Sequence, residues 1–240
     1  MHKQYAQYLI EKTRADYDRI ASDFDRTRAY VWKELEQFAA HAKEGQRVLD
    51  FGCGNGRLFE LFKGKKIAYT GIDQSGGLIA HARMRHAEDS ASGTAQFIEG
   101  TGDTLPFPDA SFDCVFSIAA IHHIPSVEKR EIVMWELRRV LMPGGTLVIT
   151  TWNLWQKEYR ALVVRAALHK IIGRSQLDFF DVFVPWKNNK GEVQAQRYYH
   201  CFSLFSLQRL VRRAGFSLRE SGYFGGKSGK FNIYVIAAKE

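Results

Sequence analysis

The stretch Asp50-Phe51-Gly52-Cys53-Gly54-Asn55-Gly56 constrains this chain more than any other. Arg47, Val48 and Leu49 lead into it with strand character, and an acid closes the strand. Three glycines then alternate, and the apolar spacing predicts a helix from about Asn55 carrying Leu58, Phe59, Leu61 and Phe62. Strand, glycine-rich turn and helix make the first βα unit of a nucleotide-binding α/β sheet, with the ligand over the strand's carboxyl end. Glycine belongs there because it tolerates a left-handed turn and lets a ligand approach the backbone closely. A dinucleotide site wants a third glycine where this chain has Arg57, so the G-x-G-x-x-G pattern is not met.

The pattern D-x-G-x-G-x-G resembles motif I of the S-adenosylmethionine-dependent methyltransferases with a Rossmann-like sheet. That cofactor has an ammonium, a carboxylate and a sulfonium, and no pyrophosphate. Asp50 suits the positive charges, and the glycines leave room for the methionine chain. Ile67–Asp73 reads as the second strand. An acid about 20 residues past a glycine-rich turn binds a ribose diol, and Asp73 stands there. Ser75 is placed to cap the following helix, so Asp73 also serves as a helix N-terminal acid. Gly100–Asp109 holds two glycines and two prolines, which forbid regular structure. In the methyltransferase pattern this loop holds the adenine. Thr101 stands where an acid is usual, Gly102 where a small residue is, and Asp103 is expected to substitute as the charged acceptor. The cofactor-binding set that the resemblance implies is Asp50, Gly52, Cys53, Gly54, Gly56, Asp73, Gln74, Thr101, Gly102, Asp103 and Ile118.

At 240 residues the expectation is one α/β domain over 1–240. It comprises a helical N-terminal cover over 1–42 and an inserted helix with a substrate-side loop over 153–202. No apolar run approaches the length of a membrane span, and Met1–Tyr5 begins no apolar signal core. The three cysteines, Cys53, Cys114 and Cys201, are too scattered for a disulfide framework or a metal site. These features predict a cytoplasmic protein with no membrane partner and no metal. The net charge of +8 is uneven: residues 1–150 hold 19 Lys+Arg against 20 Asp+Glu, and residues 151–240 hold 15 against 6. A neutral cofactor half with a basic C-terminal part points to a polyanionic partner such as nucleic acid.

Residues 3–42 read as helical with a break near Asp25–Arg28. Tyr17, Ile20, Ala21 and Phe24 form an apolar face there, and a second helix lies around Val31–Leu35. Ser75–Glu88 reads as a helix, Ala95–Glu99 as a strand and Ser111–Ile118 as strand four, which opens onto His122 and His123. Of these two, His122 is the active-site candidate and His123 a packed residue. Glu128–Leu141 is a helix stopped by Pro143-Gly144-Gly145, and Thr146–Trp152 is strand five. An inserted helix follows over 154–172. Asp178–Lys187 then runs to a polar tip at Asn188–Gln196, and Arg197–Phe202 returns. Ser203 caps a helix that Gly215 ends, and Phe216–Phe224 with Phe231–Ala238 form a closing antiparallel pair. The loop Gly225–Lys230 lacks the residue order of a phosphate-binding loop.

Three further stretches narrow the resemblance. They are Tyr17-Asp18-Arg19-Ile20-Ala21 with Phe24, Thr27, Arg28 and Trp32; Ile121-His122-His123-Ile124; and Asp181-Val182-Phe183-Val184-Pro185-Trp186 followed by Arg197-Tyr198-Tyr199-His200. Together they resemble the tRNA wobble-uridine carboxymethyl methyltransferases over nearly the whole chain. The resemblance implies a seven-stranded class I methyltransferase sheet with helices on both faces. It also implies methyl transfer from S-adenosylmethionine, leaving S-adenosylhomocysteine, to the carboxylate of 5-carboxymethyluridine in tRNA. A small zinc-binding activator subunit accompanies the eukaryotic enzymes. The residues it suggests for holding the acceptor are Arg28, His122, Arg197 and Tyr198, with Trp186 and Tyr199 stacking on the base. Two other functions compete: a small-molecule O-, N- or C-methyltransferase, and a non-catalytic subunit that binds the cofactor or RNA. The basic C-terminal part favours RNA over a small substrate, and the intact glycines and acids disfavour the third reading.

Overall fold

A computed structural model describes residues 1–240. Its sheet is built from β1 (Arg47–Phe51), β2 (Ala68–Asp73), β3 (Ala95–Glu99), β4 (Phe112–Ile118), β5 (Leu141–Trp152), β8 (Ser217–Phe224) and β9 (Asn232–Ala238). The order is β3-β2-β1-β4-β5-β9-β8. The first five strands are mutually parallel, while β9 runs antiparallel to β5 and to β8. The order reverses beside β1, so β1 and β4 flank the crevice where open α/β sheets bind ligands.

The sheet separates two apolar cores. On one face α5 (Val127–Val140) and α7 (Leu204–Arg213) bury Val133, Met134, Leu137, Leu207 and Val211 against Val115, Leu147 and Val235. On the other, α2 (Glu36–Ala39) and α3 (Gly76–Arg85) bury Phe38, Ile79 and Ala82 against Val48, Tyr69 and Phe116. The inner strands β1, β4 and β9 are buried on both faces, which is why they read as near-continuous apolar runs. The second unit is a hairpin of β6 (Asp181–Lys187) and β7 (Val193–His200). It lies between α1 (Lys3–Thr27), whose Tyr17, Ile20 and Ala21 pack on Trp186 and Ala195, and α6 (Lys157–Ile171), whose Val163 packs on Val182 and Tyr199.

Several elements differ from expectation, each for a local reason. The segment after Gly56 is a 3-10 turn over Arg57–Leu61, not an α-helix. Gly56 and Gly64, at φ of 72° and 76°, bracket it in left-handed conformations that terminate helical geometry. The expected helix over Ser75–Glu88 divides into α3 and α4 (Ala87–Ala91) at His86. His86 is buried, stacks on Phe97 and shares a hydrogen bond with the Gly56 carbonyl at 3.0 Å. The expected helix around Val31–Leu35 is a 3-10 turn over Lys33–Leu35 that continues into α2. β5 begins at Leu141 rather than Thr146, because the Pro143–Gly145 segment stays paired. Gly144 N–H donates to the Lys239 carbonyl at 2.7 Å, and Lys239 N–H to Gly145 at 3.1 Å.

Candidate active site

The carboxyl ends of β1, β2, β4 and β5 open into a cavity of about 370 Å³, closed above by α1 and β7. Asp50, Gly52, Cys53, Gly54, Asp73, Gln74, Thr101, Gly102, Asp103 and Ile118 line it, together with Arg28, His122 and Arg197. Gly56 and Tyr198, also expected in the site, lie outside that lining.

The glycines of the turn have different reasons to be glycine. A side chain on Gly52 would place its Cβ 2.3 Å from that of Ala120. At Gly56 it would come within 2.8 Å of the Phe97 ring, so this glycine serves packing rather than ligand approach. Gly54 meets nothing nearer than Phe24 at 3.7 Å and leaves its backbone open to the cavity.

Two acids flank this turn, Asp50 buried and Asp73 half-buried. Asp50 accepts a hydrogen bond from the Tyr69 hydroxyl. Asp73 accepts from Gly54 N–H and Ser75 N–H, both at 2.9 Å, one on each carboxylate oxygen. Ser75 also caps α3 through Leu78 N–H at 3.2 Å, so Asp73 braces the loop as well as lining the cavity. Neither acid forms an ion pair within the protein. Burial pushes Asp50 up to about 7, with the charge of Asp73 adding to it, and burial raises Asp73 too. A cation entering between them restores their ordinary acidity. In the adenine-side loop, Thr101 donates to Asp103 at 2.6 Å and Lys129 lies 3.6 Å from the same carboxylate. These contacts hold Asp103 below the usual carboxylate range, and the Thr101 hydrogen bond is the largest cause. Asp103 is therefore the ionised carboxylate of this loop, beside Thr101.

The far side of the cavity is cationic. The Arg28 and Arg197 guanidinium groups both lie against the Trp186 ring, at 5.1 and 4.8 Å from its centroid, and Arg197 also covers Tyr199 at 5.3 Å. Neither forms an ion pair. The acids nearest Arg28 in sequence are occupied: Asp23 holds Arg26 and the Trp186 indole N–H, and Asp25 holds Arg85 and Asn55. Burial lowers the pKa of Arg28, and the charge on Arg197 adds to that.

The two histidines have separate duties. His123 shares hydrogen bonds at 2.8 Å with the Tyr198 carbonyl through Nδ1 and with the Tyr17 hydroxyl through Nε2. A carbonyl only accepts, so Nδ1 carries the proton and Nε2 accepts from Tyr17. Burial drives His123 down to about 3, so it stays neutral. His122 accepts from Trp152 N–H on Nδ1 at 3.3 Å, which leaves the proton on Nε2 and no protein partner there. Burial, then the neighbouring His123 and Arg197, hold His122 far below its usual pKa.

Tyr198 sits on the opposite face of β7 from Arg197 and Tyr199, because side chains alternate along a strand. Its ring packs at 6.3 Å from Phe183. Trp186 is already covered by Phe24 and the two arginines and Tyr199 by His122 and Arg197, so neither offers a free face to a base. Tyr17, Trp152 and Arg57 also line the cavity, and the sequence marks none of them as a site residue: Tyr17 reads as part of an apolar helix face and a family stretch, Trp152 as a strand end and Arg57 as a break in the glycine pattern.

Two unneutralised acids beside an open glycine turn, over this strand order, suit S-adenosylmethionine. The chain is an S-adenosylmethionine-dependent methyltransferase. Residues 49–149 match the family described as "Methyltransferase domain". Over 251 aligned residues the chain is 30% identical to the tRNA (carboxymethyluridine(34)-5-O)-methyltransferase of Schizosaccharomyces pombe, with 97% of this chain and 98% of that one covered. It belongs to that methyltransferase family. Among solved structures, it superposes on an S-adenosylmethionine-dependent methyltransferase of Methanosarcina mazei with a TM-score of 0.67 at 24% identity, covering 88% of this chain and 98% of that one. A Haloferax volcanii methyltransferase, solved in complex with the Trm112 activator, gives 0.64 at 20% identity, covering 94% and 96%. At these identities the structural likeness is one of fold. No helix is long and apolar enough to cross a membrane.

Proposed function

We propose that the chain methylates the carboxylate of a 5-carboxymethyluridine at the wobble position of tRNA, as the name of its fission-yeast relative states for that enzyme. One observation carries the reading: two arginines without carboxylate partners, Arg28 and Arg197, share one aromatic ring inside a cavity that also suits the cofactor. Such a pair awaits an anion from outside, and guanidinium forks match a carboxylate in shape and charge.

In this reading Asp50 faces the cofactor's ammonium, Asp73 its ribose diol and Asp103 its adenine amino group. When bound, the cofactor supplies a methyl group on a positively charged sulfur, which leaves as the thioether S-adenosylhomocysteine. The acceptor carboxylate is already ionised at neutral pH, so no residue has to remove a proton. Arg28 and Arg197 orient it, and such positioning contributes up to roughly 7–11 kcal/mol. His122 stays neutral and offers a hydrogen bond from Nε2 without adding charge that would quench the nucleophile. Methylation turns the carboxylate into a neutral ester, so the arginines that bind the substrate release the product. The basic segment 151–240 meets the tRNA backbone.

The resemblance that supports this reading extends to a small zinc-binding activator subunit, which co-purification of the tagged chain tests. The ester itself has a direct chemical test. Methyl label transferred to tRNA as a carboxylate ester is released as methanol by mild alkali. Label that stays on the RNA after alkali refutes carboxylate methylation.

A further inference from the structure

Arg57 follows the third glycine of the turn and lines the cavity. Its guanidinium lies 4.8 Å from the Trp32 ring centroid. It forms no ion pair, and its Nη1 is sealed from solvent with no hydrogen-bond partner. Burial lowers its pKa to about 10, and the charge on Arg28 adds to that. Asp25 is engaged by Arg85 and Asn55, and Asp50 makes no ion pair with Arg57. A guanidinium with one nitrogen sealed and unpartnered in this way is costly, so a structural ion pair does not explain it.

We propose that Arg57 is the receptor for the α-carboxylate of S-adenosylmethionine, with Asp50 on the α-ammonium. The assignment rests on the methyltransferase reading. The cofactor's amino-acid end is a zwitterion, with opposite charges on substituents of one carbon. The chain presents the complementary pair at the two ends of the glycine turn, Asp50 closing β1 and Arg57 opening the 3-10 turn. Both line the same cavity. Three unpaired arginines share the cavity, and two carboxylates must enter it. Arg197 covers Tyr199 and shares the Trp186 ring with Arg28, whereas Arg57 lies on the Trp32 ring at the end of the glycine turn that follows Asp50. This division gives each carboxylate its own guanidinium fork.

Calorimetric titration with S-adenosylmethionine and its decarboxylated analogue tests the assignment without any acceptor. The wild-type protein is expected to prefer the intact cofactor by about tenfold or more, the scale of one charge-assisted hydrogen-bonded pair. Arg57→Ala should lose that preference, weakening the intact cofactor while leaving the analogue unchanged, and Arg57→Lys should keep part of it. Equal binding of both ligands by the wild type overturns the inference, whatever the variants do. Equal weakening of both ligands in Arg57→Ala overturns it as well, and marks a purely structural arginine. A wild-type protein that binds neither ligand refutes the methyltransferase reading itself.

Discussion

Arg28, at the end of α1, and Arg197, in the middle of β7, place their guanidinium groups 5.1 and 4.8 Å from the centre of the same Trp186 ring. They are 169 positions apart in the chain and meet only because the β6–β7 hairpin packs on α1. Two like charges on one ring repel, and the ring's face offsets part of that cost. An anion bound between them would offset the rest.

If Arg28 and Arg197 hold the acceptor, Arg28→Ala and Arg197→Ala should each cut kcat/KM for tRNA by about a hundredfold, equivalent to ~3 kcal/mol of transition-state stabilisation. The double variant should lose less than the product of the two, because they act on one group. Cofactor affinity should barely change. Steady-state kinetics with calorimetry separate these outcomes from a surface role, in which neither variant alters turnover.

Tyr17 is the only donor to His123 Nε2, and the same imidazole holds the Tyr198 carbonyl of β7 through Nδ1. Tyr17→Phe leaves the imidazole acceptor buried and unpaired, at a cost of about 1–3 kcal/mol. The melting temperature should fall accordingly. The KM for tRNA should rise as the His123 anchor on β7, next to Arg197, loosens, while cofactor binding stays near wild type.

Cofactor affinity should depend on pH through Asp50. Its pKa is raised to about 7 in the free protein, and the incoming ammonium favours the ionised form. Below that pH, binding must expel a proton, so affinity should fall as pH falls, by up to about tenfold per unit. Above it the curve should flatten. In the free protein, the contribution of Asp50 to stability is present at low pH and lost as pH rises through about 7. The active-site histidines add nothing to the binding profile near neutrality, since both stay neutral there. Titration in buffers of different ionisation enthalpy counts the protons released.

RNA binding should depend on salt and on the hairpin tip. Lys187 and Lys190 are exposed and unpaired there. Reversing both to Glu should weaken tRNA binding and reduce its salt slope by about two. Cofactor affinity should not move. A flat salt dependence in the wild type would favour a small-molecule acceptor.

Most of the framework was legible because its signals are local. Strand-terminal Asp50 and Asp73, the alternating glycines and the Ser203 cap of α7 each act within a few residues. The misjudged elements were set by tertiary contacts. His86 divides one helix into two by reaching the Gly56 carbonyl, a residue 30 positions away. In the site, residue types and approximate places were readable, but facing was not. Alternation along β7 puts Tyr198 away from the cavity and Tyr199 in it, and register cannot be read without the hairpin partner. Arg57 reads in the sequence only as a departure from the dinucleotide glycine pattern, because an unpaired guanidinium is recognisable only when its surroundings are known.

The central claim is carboxylate methylation of a wobble uridine, and one measurement addresses it directly. The protein is incubated, with and without an activator subunit, with methyl-labelled S-adenosylmethionine and tRNA carrying unesterified 5-carboxymethyluridine. The tRNA is then digested and its nucleosides are separated, with the labelled position mapped by fragment analysis. The account predicts label in the methyl ester of 5-carboxymethyluridine at the wobble position alone, lost on mild alkali and incorporated about a hundredfold more slowly with Arg197→Ala. Label in an alkali-stable base, or at any other position, would contradict it.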